Sequence, residues 1–410
     1  MIEKLYPLSD LPPAVVLANR QDPSYRLRQN DPEQTRLDLT AALLHSYDAA
    51  RIADLVDAMQ YNTTVKTVHL SGHNMEEFFP TQDDLRKLLT TICSMSAIEE
   101  FFVFRGGSEL LTEKLLAECL PIAEQLKVLM FWGFDEMQPV LVASLTHLRY
   151  LKRLTITLPN NLPWACLDVL TMGLAGHPNL ECLSVRCEGR QLESAISPDA
   201  FRLLLGSVTI DNLYLENLGL TDEHIDIATE ELPNNNTLTL LDVQDNLLSD
   251  DTLYSLAQLV PRNDTLRTLN VSGCGISEDG GWKLAKAMQQ NSTLHNVELE
   301  GTLERCTCHV EKHILSHSSG VLVSFLTTLT VSDEFDIPVG HTQTDWAIAL
   351  DFQIRLNRAG TGQNNRKRFV ESLVSVSDHL DCIYHFCKLY PTHFDRELHL
   401  PVRDPFHKWG

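Results

Sequence analysis

Apolar residues recur along this chain in one spaced template. Each copy carries an apolar residue at positions 1, 4 and 6 and a special residue at position 9. The clearest copies are Leu238-Leu241-Val243-Asn246, Leu266-Leu269-Val271-Cys274 and Leu294-Val297-Leu299-Thr302, whose starts lie 28 residues apart. Looser copies start at Val65, Ile98, Leu126, Leu151, Leu180 and Ile210, with gaps of 25 to 33. Two worn copies follow, Leu326-Leu329-Val331 and Ala349-Phe352-Ile354-Asn357, and a worn first copy holds Leu37 and Leu39.

The template predicts a short strand over positions 3 to 7, with alternate side chains pointing inward. Position 9 turns the chain, where Asn or Cys can bond the backbone of the adjacent coil. A helix of about 12 residues then leads to the next strand. After Asn246, Ser249 is the expected N-cap, and Leu253, Leu256, Leu259 and Val260 follow at helical spacing. One such unit cannot bury its own apolar face, so neighbours stack into a continuous core. The expected fold is α/β: a solenoid of horseshoe form, with parallel strands inside and helices outside.

The ends need covers. Phe369, Leu373, Val376, Leu380, Ile383 and Cys387 form one apolar helical stripe that Pro391 terminates. The expected organisation is therefore a tail over residues 1–33, a solenoid over 34–360, and a C-terminal helical cap and tail over 361–410. Leu11-Pro12-Pro13 belongs to the tail, and Arg366-Lys367-Arg368 reads as a solvated helix start.

With this repeat on the page, the chain resembles the ribonuclease-inhibitor-like leucine-rich-repeat superfamily. The 28-residue spacing and the Asn or Cys at position 9 carry the resemblance over roughly residues 34 to 360. The closing stretch Phe352-Gln-Ile-Arg-Leu-Asn-Arg-Ala-Gly360 looks like the end of the array in leucine-rich-repeat proteins of diatoms. That resemblance implies protein–protein interaction and no known chemistry. The ninth positions His73, Gly106, Phe134, Pro159, Glu188 and Leu218 depart from the ideal repeat, which marks the N-terminal half as the specialised part.

Composition narrows the function. The formal net charge of −22 argues against a general nucleic-acid binder, whose partner demands a dominant basic field. No run of about 20 apolar residues suggests a membrane span. Met1-Ile-Glu-Lys-Leu-Tyr-Pro7 does not read as an export signal, so the ten scattered cysteines are expected reduced in a cytoplasmic or nuclear protein. Sequences of the serine-hydrolase, phosphate-loop and dinucleotide-binding types are absent, so no catalytic residue and no cofactor is expected. Cys306, Cys308, His309, His313 and His317 form the most metal-like cluster, with the histidines at i, i+4 and i+8. They read instead as part of a worn repeat with exposed histidines and no bound metal. The smaller knot of Cys382, His385 and Cys387 reads as core packing.

The informative surface is the inner face, formed by positions 2, 3, 5, 7 and 8. In the copies starting at 65 to 180 it carries Lys66, Arg105, Lys127, Lys152, Arg153 and Arg186 against Glu99, Glu100 and Glu181. Phe102, Phe104, Met130 and Trp132 lie among them. In the copies starting at 210 to 294 it carries Asp211, Glu216, Asp242, Asp245, Glu298 and Glu300 against Arg267, with Tyr214 beside them. Aromatic, Met and Arg side chains are what binding hot spots are made of. The rings could also simply pack on one another. The expectation is a non-enzymatic protein-binding scaffold whose partner is another protein, neither nucleic acid nor membrane. The site would comprise Phe102, Phe104, Arg105, Lys127, Met130, Trp132, Lys152, Arg153, Arg186, Tyr214, Glu216, Asp242 and Asp245. A regulator of a small GTPase is the alternative. It is disfavoured because repeat proteins of that kind carry a long acidic tail, which this sequence lacks.

Overall fold

A computed structural model describes residues 23–299, apart from 45–48, 135–137, 159–161, 190 and 275–277. The copies starting at 326 and 349, the C-terminal helix, the basic run and the Cys306–His317 cluster lie outside the described residues. The chain divides into two compact units, residues 1–219 and 220–410.

In the first unit seven strands stand in chain order, each parallel to the next. They are β1 (Arg36–Leu39), β2 (Thr67–Ser71), β3 (Glu100–Phe104), β4 (Val128–Trp132), β5 (Arg153–Leu158), β6 (Cys182–Cys187) and β7 (Asn212–Glu216). The helices of this unit are α1 (Pro23–Arg28), α2 (Ala41–Leu44), α3 (Ala49–Gln60), α4 (Gln82–Ser94), α5 (Glu113–Cys119), α6 (Pro139–Leu145), α7 (Asp168–Leu174) and α8 (Pro198–Leu205). From α3 onward one helix follows each strand. The second unit holds α9 (Asp222–Glu231), β8 (Leu240–Asp242), α10 (Asp250–Leu259), β9 (Thr268–Asn270), α11 (Glu278–Ala287) and β10 (Asn296–Glu298). Its strands pair in parallel, Leu241 with Leu269 and Leu269 with Val297. The fold is an α/β leucine-rich-repeat solenoid.

The template positions land where the spacing puts them. Leu241, Val243, Leu269 and Val271 are fully buried, as are Phe101, Leu129, Leu154, Leu183 and Leu213 at position 4 of the first unit. Strands β2, β3, β4 and β7 span positions 3 to 7, and β5 and β6 run one residue further. The strands of the second unit stop after position 5. Asn246 is buried at position 9, where its amide donates to the Val243 carbonyl at 2.8 Å and its oxygen accepts from Leu220 N at 3.0 Å. Cys274 takes the same place with a thiol aimed at the Val243 carbonyl, 3.8 Å away. In the first unit Phe134 and Leu218 fill this position with apolar bulk, and Phe134 packs edge-on to Phe131 at 5.8 Å. Gly106 has φ of 59° there, and a Cβ would stand 2.7 Å from the His73 nitrogen.

Capping explains the helix starts. The Thr81 hydroxyl accepts from Asp84 N while the Asp84 carboxylate accepts from Thr81 N, both at 3.2 Å, opening α4. Ser249 caps α10 by accepting from Asp251 N at 3.3 Å.

A short helix packs against the array ahead of residue 34. Helix α1 packs on α3, Leu27 is fully buried, and the Asn62 amide donates to the Leu27 carbonyl at 2.9 Å. Within the expected tail, helix α1 thus covers part of α3.

Asn62 also stands three residues ahead of position 1, a place that Asn235, Asn263 and Asn291 hold as a ladder in unit 2; each of the four is followed two residues later by Thr. Asn263 is buried, donates to the Leu232 carbonyl at 2.7 Å, and accepts from Thr265 N and Leu266 N at 3.1 and 2.7 Å. The amide thus holds its own turn and ties it to the coil before. Asn263→Ala strands the buried Leu232 carbonyl and the buried Leu266 N–H, and leaves the part-buried Thr265 N–H without its acceptor, so it is expected to cost about 2–4 kcal/mol. Urea unfolding reads this directly, and a loss below about 1 kcal/mol would remove the ladder from the list of stabilising features.

His177 occupies the equivalent place between α7 and β6. It is 3% exposed, its Nδ1 accepts from Asn179 N at 3.4 Å, and its Nε2 has no hydrogen-bond partner. Burial pushes its pKa below the ordinary 6.5, opposed by the Leu148 backbone. The folded state therefore resists protonation while the unfolded chain accepts it. The stability contribution is full above pH 6.5 and is lost as pH falls from there through the lower folded value. His177→Asn keeps the acceptor and removes the titration. Denaturation midpoints at about pH 7.5 and pH 6 should differ less in this variant than in the parent. Equal differences would count against His177 as the source.

Candidate strand-face site

In unit 1 the side chains at positions 3, 5 and 7 of β2 to β7 leave the core and form one face. Registers place Phe102 beside Met130 and Phe104 beside Trp132. Neighbouring strands lie about 5 Å apart, so these four are direct neighbours. The Phe104 and Trp132 rings meet edge to face at 5.5 Å, and His69 from β2 lies against Phe102 at 4.4 Å. Packing on one another does not bury them. Phe104 is 40% and Trp132 45% exposed, while Phe102, Met130 and His69 are half-buried. The rings of the patch thus pair with one another and still stand exposed. Burial, with Arg36 secondary, lowers the pKa of His69 and favours its uncharged form beside the ring. The sequence reading missed His69, although it stands at position 5 of the copy starting at Val65, on the face already singled out.

The charges along the strand starts are largely paired, which changes the picture of a basic face. Glu99 sits between Lys127 at 3.1 Å and Lys66 at 3.6 Å, and Lys152 meets Glu181 at 2.6 Å. Lys127 chiefly, with Lys66 behind it, holds the Glu99 carboxyl below its usual range. Exposed pairs like these contribute about 0–1 kcal/mol each and can exchange partners at little cost. Arg186 lies 3.8 Å from Glu216. That pair joins the two halves that the sequence treated as oppositely charged. Arg105 is half-buried and donates from Nε to the Ser108 carbonyl at 3.2 Å, bracing its own loop. Arg153 is exposed and its guanidinium neighbours the Cys182 thiol, whose pKa burial raises. Tyr214 is half-buried on β7.

In unit 2 the expectation for Asp242 is corrected. Asp242 is 8% exposed, and its carboxylate accepts from Asn270 Nδ2 at 2.9 Å and from Gln244 N at 3.0 Å. At position 5 of β8 and β9 the short polar groups Asp242 and Asn270 bond across the two strands, and the carboxylate is used in holding them. Asp245 is exposed, with φ of 59°.

Among the described residues no group of three or more His, Cys, Asp or Glu side chains is placed to hold a metal ion, and no helix is long and apolar enough to cross a membrane.

No family model and no curated protein matches the chain. Solved structures resemble it at low identity. The yeast Rad7–Elc1 complex aligns at 14% identity and a TM-score of 0.35, over 62% of this chain and 75% of that one. A Bacteroides fragilis protein aligns at 14% and 0.33, over 64% and 67%. The TLR13–ssRNA13 complex aligns at 14% and 0.35, over 66% of this chain and 36% of that one. The fold assignment rests on the repeat geometry itself.

Proposed function

We propose that the chain is a non-enzymatic scaffold that binds another protein through the strand face of its first unit. The observation that carries this reading is the patch of Phe102, Phe104, Met130 and Trp132, apolar surface left in water on a face the solenoid core does not need. Leaving such surface wet is unfavourable by about 25 cal/mol per Å², a cost that a partner removes. Of the cations that border the patch, Lys127 and Lys152 are held by Glu99 and Glu181, which leaves Arg153 to meet an acidic group on the partner. Core thiols such as Cys93 and Cys274 stand free and buried, which suits the cytoplasm or nucleus as the compartment. The 28-residue spacing and Asn246 keep the ribonuclease-inhibitor type as the proposed branch of the repeat family.

The test is affinity capture with the parent chain, with Trp132→Ala, and with Lys286→Ala on the helical side as control, followed by mass spectrometry. A protein retained by the parent and the control but not by the Trp132 variant supports the reading. Retention by all three sinks it.

A further inference from the structure

The strand face is not level. Met130 and Trp132 stand up from β4 and Tyr214 from β7, whereas β5 and β6 between them carry Thr155, Thr157 and Ser184. Three strand spacings separate the two walls, about 14 Å, room for one more polypeptide segment. The floor is chemically open. The hydroxyls of Thr155, Thr157 and Ser184 are half-buried and make no hydrogen bond within the described residues. Hydroxyls held at that depth without partners are suited to the N–H and C=O groups of a passing backbone.

The charges select the occupant. Lys127, Lys152 and Arg186 each have a carboxylate within 4.0 Å, and Arg186 leans toward Glu216, away from the floor. Arg153 has none among the described residues, and it stands on β5 in the same column as Thr155 and Thr157. Its guanidinium offers a forked donor to a carboxylate. The β4–β5 register puts Val128 level with Arg153 and Trp132 level with Thr157, four residues further along.

Resting on the strand-face reading above, we propose that this trough takes an extended acidic peptide segment. Its carboxylate meets Arg153, and an apolar side chain four residues away lies against Met130 and Trp132. In an extended chain residues i and i+4 share a face, at about 3.3 Å per residue, so both groups reach their places together.

The test is an array of synthetic peptides of about ten residues. Each holds one Glu and one Trp in a Gly-Ser frame, in both orders and at separations from two to six. The full chain is expected to favour a separation of four over three and five, and to lose retention when Lys replaces Glu. Arg153→Gln should weaken the best peptide about tenfold, with thermal unfolding unchanged because the side chain is exposed. Retention that needs Trp132 but ignores spacing and Arg153 overturns this inference and leaves the scaffold reading standing. No retained peptide overturns it as well, and the capture experiment then decides the scaffold reading separately. An oligouridylate held in place of every peptide overturns both.

Discussion

Trp132→Ala is expected to weaken binding of the captured partner by about 2 kcal/mol, roughly thirtyfold in Kd, while changing stability by less than about 1 kcal/mol. The indole stands at the last residue of β4, 45% exposed, with its remaining contact edge-on to Phe104. Truncation removes the largest exposed apolar group of the patch and opens no cavity in the core. Calorimetric titration of parent and variant measures the affinity, and urea unfolding measures the stability. Unchanged affinity would place the partner elsewhere. The next surface to examine would be the outer side of α6, α7 and α8, where Val140, Met172 and Leu203 are exposed.

Phe131→Ala, one residue earlier, is expected to do the reverse. Phe131 is fully buried and packs edge-on to Phe134 at 5.8 Å. Removing the ring leaves a cavity in a dense interior, at a cost of about 3–5 kcal/mol. The urea midpoint should fall accordingly. At low denaturant, where the folded population still dominates, affinity for the partner should change little. The two neighbours differ because strand side chains alternate faces: Phe131 supports the array, and Trp132 meets whatever lies outside it. A stability loss for Phe131→Ala no larger than that for Trp132→Ala would contradict the register of β4.

Much of the architecture was legible because it depends on local periodicity. Leu241 and Val243, or Leu269 and Val271, are two residues apart and so share a face, and repetition at 28 residues stacks equal faces on one another. The cap at Ser249 and the turn at Asn246 follow from side chains that bond backbone within a few residues or in the adjacent coil. The Asn-x-Thr sequence ahead of Val65, Leu238, Leu266 and Leu294 was equally readable, but its spacing alone does not show that the side chains of Asn62, Asn263 and Asn291 bond the coil before them.

What the tertiary structure decided is how neighbouring copies spend their polar and aromatic groups. Phe102 and Asp242 hold the same position 5, yet Phe102 stays half-exposed beside His69 and Met130, while Asp242 is sealed in by Asn270 and Gln244. Lys127, Lys152 and Arg153 look alike as a string of cations. Only the sheet, by laying residues about 28 apart side by side, matches Lys127 to Glu99 and Lys152 to Glu181 and leaves Arg153 beside Cys182. The repeat period, written in one dimension, determines which face a side chain occupies. Its exposure and charge partner depend on atoms a full copy away, brought within about 5 Å by strand pairing.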